Sequence, residues 1–172
     1  MRKERMNNKG FSLVELIIVI AIMAILAAAL APQLMKYIEK SRVSTDATSC
    51  SSIESCVNAA LANEDAYKEV AKQGTGATAT QFTFYLRYDE ANKKVKYDGL
   101  TLTPAGGTGT TSAFETELSE ALSGLKNPKQ TGMESYKVEI EVAKKTVTGA
   151  ADTTSTVYEI GKIRVETDQK SF

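Results

Sequence analysis

Glu15 is the residue whose type and position carry the most chemistry in this chain. It is the only charged side chain between Phe11 and Met35. Sixteen uncharged, almost wholly apolar residues follow it, from Leu16 to Ala31. A carboxylate inside such a segment costs roughly 2.5–3.5 kcal/mol on membrane-insertion scales. It is tolerable only when it is paired or neutralised, or when it lies near enough to the helix start to reach an interface. A positive partner would satisfy it in the first case, and the cytoplasmic interface in the second. Other reactive groups are sparse. Histidine is absent, which removes the commonest general base and metal ligand. Cys50 and Cys56 lie six residues apart in a helical stretch. Six helical residues rise ~9 Å, beyond the usual disulfide reach of roughly 4.4–6.8 Å. Both thiols are expected to be free, with no disulfide inside the chain and no metal site.

The elements that position Glu15 begin with a change of polarity at one bond. Met1 to Gly10 is short and basic, with Arg2, Lys3, Arg5 and Lys9 against Glu4. The whole chain of 172 residues carries 21 basic and 21 acidic side chains. Without that segment 17 basic face 20 acidic, so the remainder has no excess of positive charge for nucleic acid. Phe11 to Ala31 is 21 residues, about 32 Å as a helix, enough to cross a hydrocarbon core of about 30 Å. The basic residues before it hold the N-terminus on the cytoplasmic side. A secretory signal fits the basic and apolar regions, and Ala29-Leu30-Ala31 offers a cleavage site. Glu15 near the start and Pro32 directly after the cut oppose it. A plain signal anchor is a second reading.

Lys9-Gly10-Phe11-Ser12-Leu13-Val14-Glu15-Leu16, followed by an apolar helix with Pro32, resembles the class III leader of type IV pilins and pseudopilins. The resemblance covers about the first 45 residues and is most similar to a major type IVa-like pilin of a clostridial source. It implies a pilin-like fold and a series of site residues. A prepilin peptidase would cut between Gly10 and Phe11, and the new amine of Phe11 would be N-methylated. Phe11, Glu15 and Pro32 would serve assembly, with the Glu15 carboxylate pairing to the Phe11 amine of an adjacent subunit. The implied partners are further copies of the chain in a helical homopolymer, the peptidase/methylase, an assembly ATPase, a platform membrane protein and minor pilins. The implied location is a single pass in the cytoplasmic membrane, then a surface filament.

Beyond Pro32 the sequence returns to helix formers, and the proline predicts a kink or local unwinding around residues 28–32. Ala47, Cys50, Ile53, Val57, Ala60 and Leu61 recur at helical spacing, with Tyr67 and Val70 extending the face. One amphipathic helix is expected to continue over residues 32–73, ended by Gly74 and Gly76. Its many small residues let another layer approach closely.

The remainder, residues 74–172, reads as a globular region. Gln81–Tyr88 and Lys94–Leu102 are β-prone, joined by a turn at Asp89–Asn92. Ser112–Leu125 reads as a short amphipathic helix. Tyr136–Val142 and Val157–Val165 alternate like strands of an antiparallel sheet, with a bulge near Gly161 and a loop from Lys144 to Ser155. The fold class is α+β, a long N-terminal helix packed on an antiparallel sheet with a short extra helix. Gly106-Gly107-Thr108-Gly109 lacks a P-loop lysine and reads as a surface loop. Asp89-Glu90 and Asp98 read as turn residues rather than a cation site. No catalytic residue and no cofactor are expected. The competing readings are a secretion or competence pseudopilin, and a membrane-anchored binding or enzyme domain.

Overall fold

The computed structural model describes residues 11–73, 80–102, 112–148 and 154–170. The chain divides into two compact units, Met1–Ser41 and Arg42–Phe172. Helix α1 (Leu13–Ala60, 48 residues) begins in the first and ends in the second. It remains helical through Pro32, so the unwinding expected there does not occur in this structure. Proline removes one backbone hydrogen bond and clashes with the preceding turn. Ala27, Ala28, Ala29, Leu30 and Ala31 on one side, and Gln33, Leu34, Met35 and Lys36 on the other, are all strong helix formers.

The single helix expected through Gln73 is divided. α1 ends at Ala60, and a separate helix α2 spans Glu64–Ala71. Asn63 is the reason. Its side-chain oxygen accepts from the backbone N–H groups of Asp65 (2.9 Å) and Ala66 (3.3 Å), which caps α2. A side chain that satisfies those donors locally competes with a continuous helix. Glu64 and Asp65 add acidic groups to the first turn, where the helix dipole favours them. The expected stop at Gly74 and Gly76 lies outside the described residues.

The second unit is α+β. Four antiparallel strands, β1 (Thr80–Asp89), β2 (Lys94–Asp98), β3 (Ser135–Thr148) and β4 (Thr154–Asp168), lie in the order β2-β1-β3-β4. One face of this sheet holds Phe84, Leu86, Tyr136, Val138, Ile140 and Val142, all buried. Against it pack Ile53, Val57 and Ala60 of α1, Ala66 and Val70 of α2, and Phe114 and Leu118 of α3 (Ala113–Ala121). The rings of Phe84 and Phe114 meet edge to face, centroids 6.0 Å apart. The opposite face is polar, where Lys137 bridges Glu139 (2.6 Å) and Glu166 (3.3 Å).

Strands β3 and β4 are longer than the alternation predicted. Most of the expected loop from Lys144 to Ser155 is strand, and residues 149–153 lie outside the described residues. Thr146, Val147, Thr148, Thr154 and Thr156 are β-branched and suit a pleated surface. The expected bulge is present. Ile140 pairs with Ile163 and Val142 with Ile160, so two residues of β4, Gly161 and Lys162, face Glu141 alone. The bulge returns Ile160 and Ile163 to the same core despite their odd spacing. Ile160 N–H donates to the Tyr67 hydroxyl at 3.2 Å, so α2 covers part of this edge strand.

The middle of α1 is rich in side chains that bond to their own helix. The hydroxyls of Thr48, Ser49, Ser51, Ser52 and Ser55 each donate to the carbonyl four residues earlier, at 3.0–3.2 Å.

Candidate processing and assembly site

Gly10 and the rest of the leader lie outside the described residues. Phe11 and Ser12 precede α1, and the Phe11 side chain is 89 % exposed. Glu15 is the third residue of the helix. Its Oε2 accepts a hydrogen bond from the Ser12 backbone N–H at 2.9 Å. The first four N–H groups of a helix have no partner within it, and a glutamate at this position can turn back to the residue that opens the helix. The negative charge also sits at the positive end of the helix dipole. Within one chain, then, the carboxylate has a local acceptor role. Sequence reasoning missed it, although Ser12-Leu13-Val14-Glu15 has the S-x-x-E spacing that signals it.

The helix that follows has no buried residue from Phe11 to Ile38. Large apolar side chains point in every direction, with Ile17 50 % and Ile25 70 % exposed. The most apolar window of 18 residues has a mean hydropathy of 3.0. Among the described residues this is the one helix long and apolar enough to cross a membrane. A helix apolar on all sides belongs in lipid or among other helices. Phe11, Glu15 and Pro32 therefore stand along one exposed, apolar element, with the carboxylate at its start.

A second carboxylate on α1 has a different task. Asp46 is buried at 2 % exposure. It accepts from Lys129 N–H through both oxygens (2.8 and 3.0 Å) and from Gln130 N–H (2.7 Å). Nearby, Arg42 Nη1 donates to Thr131 Oγ1 at 3.1 Å. Together they hold the segment after α3 against the helix. Sequence reasoning did not single out Asp46, although it lies one turn before Cys50 and two before Ile53 on the same apolar stripe. Glu69 of α2, also 2 % exposed, likewise accepts from Phe114 N–H at 3.1 Å and caps the start of α3.

Both cysteines are free. The Cys56 thiol donates to the Ala121 carbonyl at 3.5 Å. Burial, with help from the charges of Asp46 and Glu166, pushes the Cys50 thiol up to about 11. The thiolate is the reactive form. At pH 8, Cys50 is expected to react with iodoacetamide about 100-fold more slowly than an unperturbed thiol. Its rate should rise about tenfold per pH unit until near its own pKa, which peptide mapping of the alkylated chain would follow. The folded chain holds this proton more tightly than the unfolded chain. The contribution to stability is therefore complete below about pH 9 and is lost as the pH rises towards 11.

The acidic residues Asp89, Glu90 and Asp98 do not converge on a cation site. Asp89 accepts from the backbone N–H groups of Ala91 (3.0 Å) and Asn92 (3.3 Å) and pairs with Lys96 at 2.8 Å. Hydrogen bonds from Lys96 and then Asn92 hold its carboxyl well below the usual range. Asp98 pairs with Lys170, whose ammonium also lies 4.1 Å from the centre of the Tyr85 ring. Among the described residues, no group of three His, Cys, Asp or Glu side chains could hold a metal ion. Gly106–Gly109 lies outside the described residues.

Residues 5–31 match a family model described as the prokaryotic N-terminal methylation motif. The match spans Gly10, Phe11 and Glu15 and ends one residue before Pro32. It supports a type IV pilin-like prepilin. No solved structure matches the chain.

Proposed function

We propose that this chain is a structural subunit of a type IV pilus, of the major type IVa-like kind, cleaved after Gly10 and N-methylated at Phe11. Once processed, it polymerises into a helical surface filament that serves adhesion, aggregation or surface motility. The observation that carries the reading is the methylation motif at residues 5–31, laid on a helix whose apolar side chains are unburied. Before assembly that surface is satisfied by lipid, with the N-terminus in the cytoplasm. In the filament it is satisfied by the same helices of other subunits. Lipid is as apolar as such a bundle, so packing and the pairing of Glu15 give assembly its direction. Cleavage supplies the partner, because the Phe11 amine exists only after the Gly10–Phe11 bond is cut. The peptidase/methylase, an assembly ATPase, a platform membrane protein and minor pilins are the partners this route requires.

Mass spectrometry of the chain from its native membrane is expected to find a first residue of singly methylated Phe11. A chain beginning at Pro32 would instead identify a secretory signal. A pseudopilin of a secretion or competence system shares this N-terminus. Long surface filaments that vanish on deletion of the gene identify a pilus, and their absence from piliated-growth conditions with loss of secretion identifies a pseudopilin.

A further inference from the structure

The hold of α1 on the sheet changes character along its length. The buried residues of α1 are Asp46, Ile53, Val57 and Ala60. Ile53, Val57 and Ala60 are apolar and belong to the core. Asp46 comes first in the chain and is a carboxylate. From Arg42, where the second unit begins, to Ser52, no apolar side chain of α1 is buried. Cys50 is half-buried against the core, and Ser49 shares a hydrogen bond with the Tyr136 hydroxyl. Arg42 and Asp46 both bind one irregular segment, residues 125–134, between α3 and β3.

That segment is fastened to the sheet independently of α1. Tyr88 N–H donates to Asn127 Oδ1 (2.8 Å), and Asn127 Nδ2 donates back to the Tyr88 carbonyl (2.9 Å). Further along, Glu134 N–H donates to the Asp168 carbonyl at 2.8 Å. Gly132, with φ 83°, turns the chain between these two fastenings. The segment is thus a strap, tied to β1 at one end and β4 at the other, with its middle bonded to α1. The two kinds of hold respond differently to separation. When helix and strap part, Asp46 and the amides of Lys129 and Gln130 exchange each other for water, and bonds to water recover much of what is lost. Ile53, Val57 and Ala60 have no such exchange, because exposing apolar surface to water is unfavourable.

We propose that Asp46, Arg42 and the strap form a latch, which opens while Ile53, Val57 and Ala60 stay docked on the sheet. Opening frees the first turns of α1 in the second unit without unfolding the core. A pull along α1 from its N-terminal side reaches the bonds of Arg42 and Asp46 before it reaches the apolar anchors. If the filament reading above holds, the latch takes such a pull first and spares the core. The latch itself does not rest on that reading.

Native-state hydrogen exchange of the full chain in detergent micelles, followed by NMR at single amides, tests it. The latch probes are the Lys129 and Gln130 amides. The core probes are the Val138 and Ile140 amides of β3, a strand paired on both sides. Corrected for intrinsic rates, the latch amides are expected to exchange at least about 100-fold faster, with a weaker dependence on denaturant. Val57→Ala weakens an anchor that the closed and latch-open states both keep. It should speed the core amides about tenfold or more and leave the latch amides within about twofold. Asp46→Asn weakens the closed state alone and should speed latch and core amides alike, about tenfold. If Val57→Ala fails to fold by circular dichroism, Ile163→Val applies the same logic, with core amides faster by about threefold. Latch amides as slow as the core amides overturn the proposal. So does equal acceleration of both sets by Val57→Ala, which would mean that helix, strap and sheet open as one unit, or no acceleration of the latch amides by Asp46→Asn. None of these outcomes depends on cleavage after Gly10.

Discussion

Glu15→Ala is expected to be cleaved and methylated like the wild type and to lose nearly all filament assembly. Two effects act in the same direction. On the assembly route proposed above, alanine removes the group that pairs with a neighbour's Phe11 amine, and breaking a buried ion pair costs about 3–5 kcal/mol. It also removes a charge worth roughly 2.5–3.5 kcal/mol from the lipid-embedded subunit, which then gains by staying in the membrane. The hydrogen bond from Ser12 N–H to Glu15 adds a third effect, loss of a helix cap, but this is only about 1 kcal/mol. Glu15→Gln separates the cap from the charge. Glutamine can still accept from Ser12 N–H and cannot form an ion pair. Sheared filaments, quantified by electron microscopy and immunoblot, should be nearly absent for both variants. Assembly of Glu15→Gln at the wild-type level would assign Glu15 to capping alone.

Asp46→Ala is expected to cost the second unit about 3 kcal/mol of stability. Charge-assisted hydrogen bonds contribute about 1.5–3 kcal/mol each, and buried donors left unmade cost more than the bond was worth. Two part-buried donors, Lys129 N–H and Gln130 N–H, depend on this buried carboxylate. For a domain of this size the loss corresponds to a fall in Tm of about 10 °C. Thermal unfolding of the full chain in detergent, followed by circular dichroism, would measure it. Asp46→Asn should fall between the two, because the amide keeps an acceptor oxygen and loses the charge. An unchanged Tm for Asp46→Ala would mean that water replaces the carboxylate at those two amides.

The strands, the α3 helix and the distal face of α1 were legible because their apolar residues follow periods of 2 and 3.6. Ile53, Val57 and Ala60 were read from the sequence and are buried, as are Tyr136, Val138, Ile140 and Val142. Gly161 marked the bulge because it broke the alternation of β4. The helix break was not read. Periodicity continues from Leu61 to Val70, while the interruption comes from one hydrogen-bonding side chain, Asn63, followed by two acids. The ends of β3 and β4 were missed for the opposite reason. Their polar β-branched residues carry strand preference without an apolar alternation to announce it. At the N-terminus the motif residues were plain, but the cap between Ser12 and Glu15 was hidden by attention to charge. Asp46 and Glu69 were passed over because buried carboxylates look like surface ones until their backbone partners, 83 and 45 residues away, are folded onto them.

The hydroxyl groups that fold back along α1 have a mechanical consequence. Each of the five occupies a carbonyl that also receives a backbone N–H, and such sharing slackens the ladder and favours bending. Stiffness along α1 is therefore not uniform. The alanine- and leucine-rich turns around Pro32 have undivided carbonyl partners apart from the bond the proline lacks, whereas the compliant stretch runs from Ser44 to Ser55. Asp46 and Ile53 lie within that stretch and Val57 just beyond it, all three buried, so its give is limited by the contacts that hold it to the sheet unit. A rod built this way yields by elastic flexure where its serines are, without surrendering its hold on the sheet.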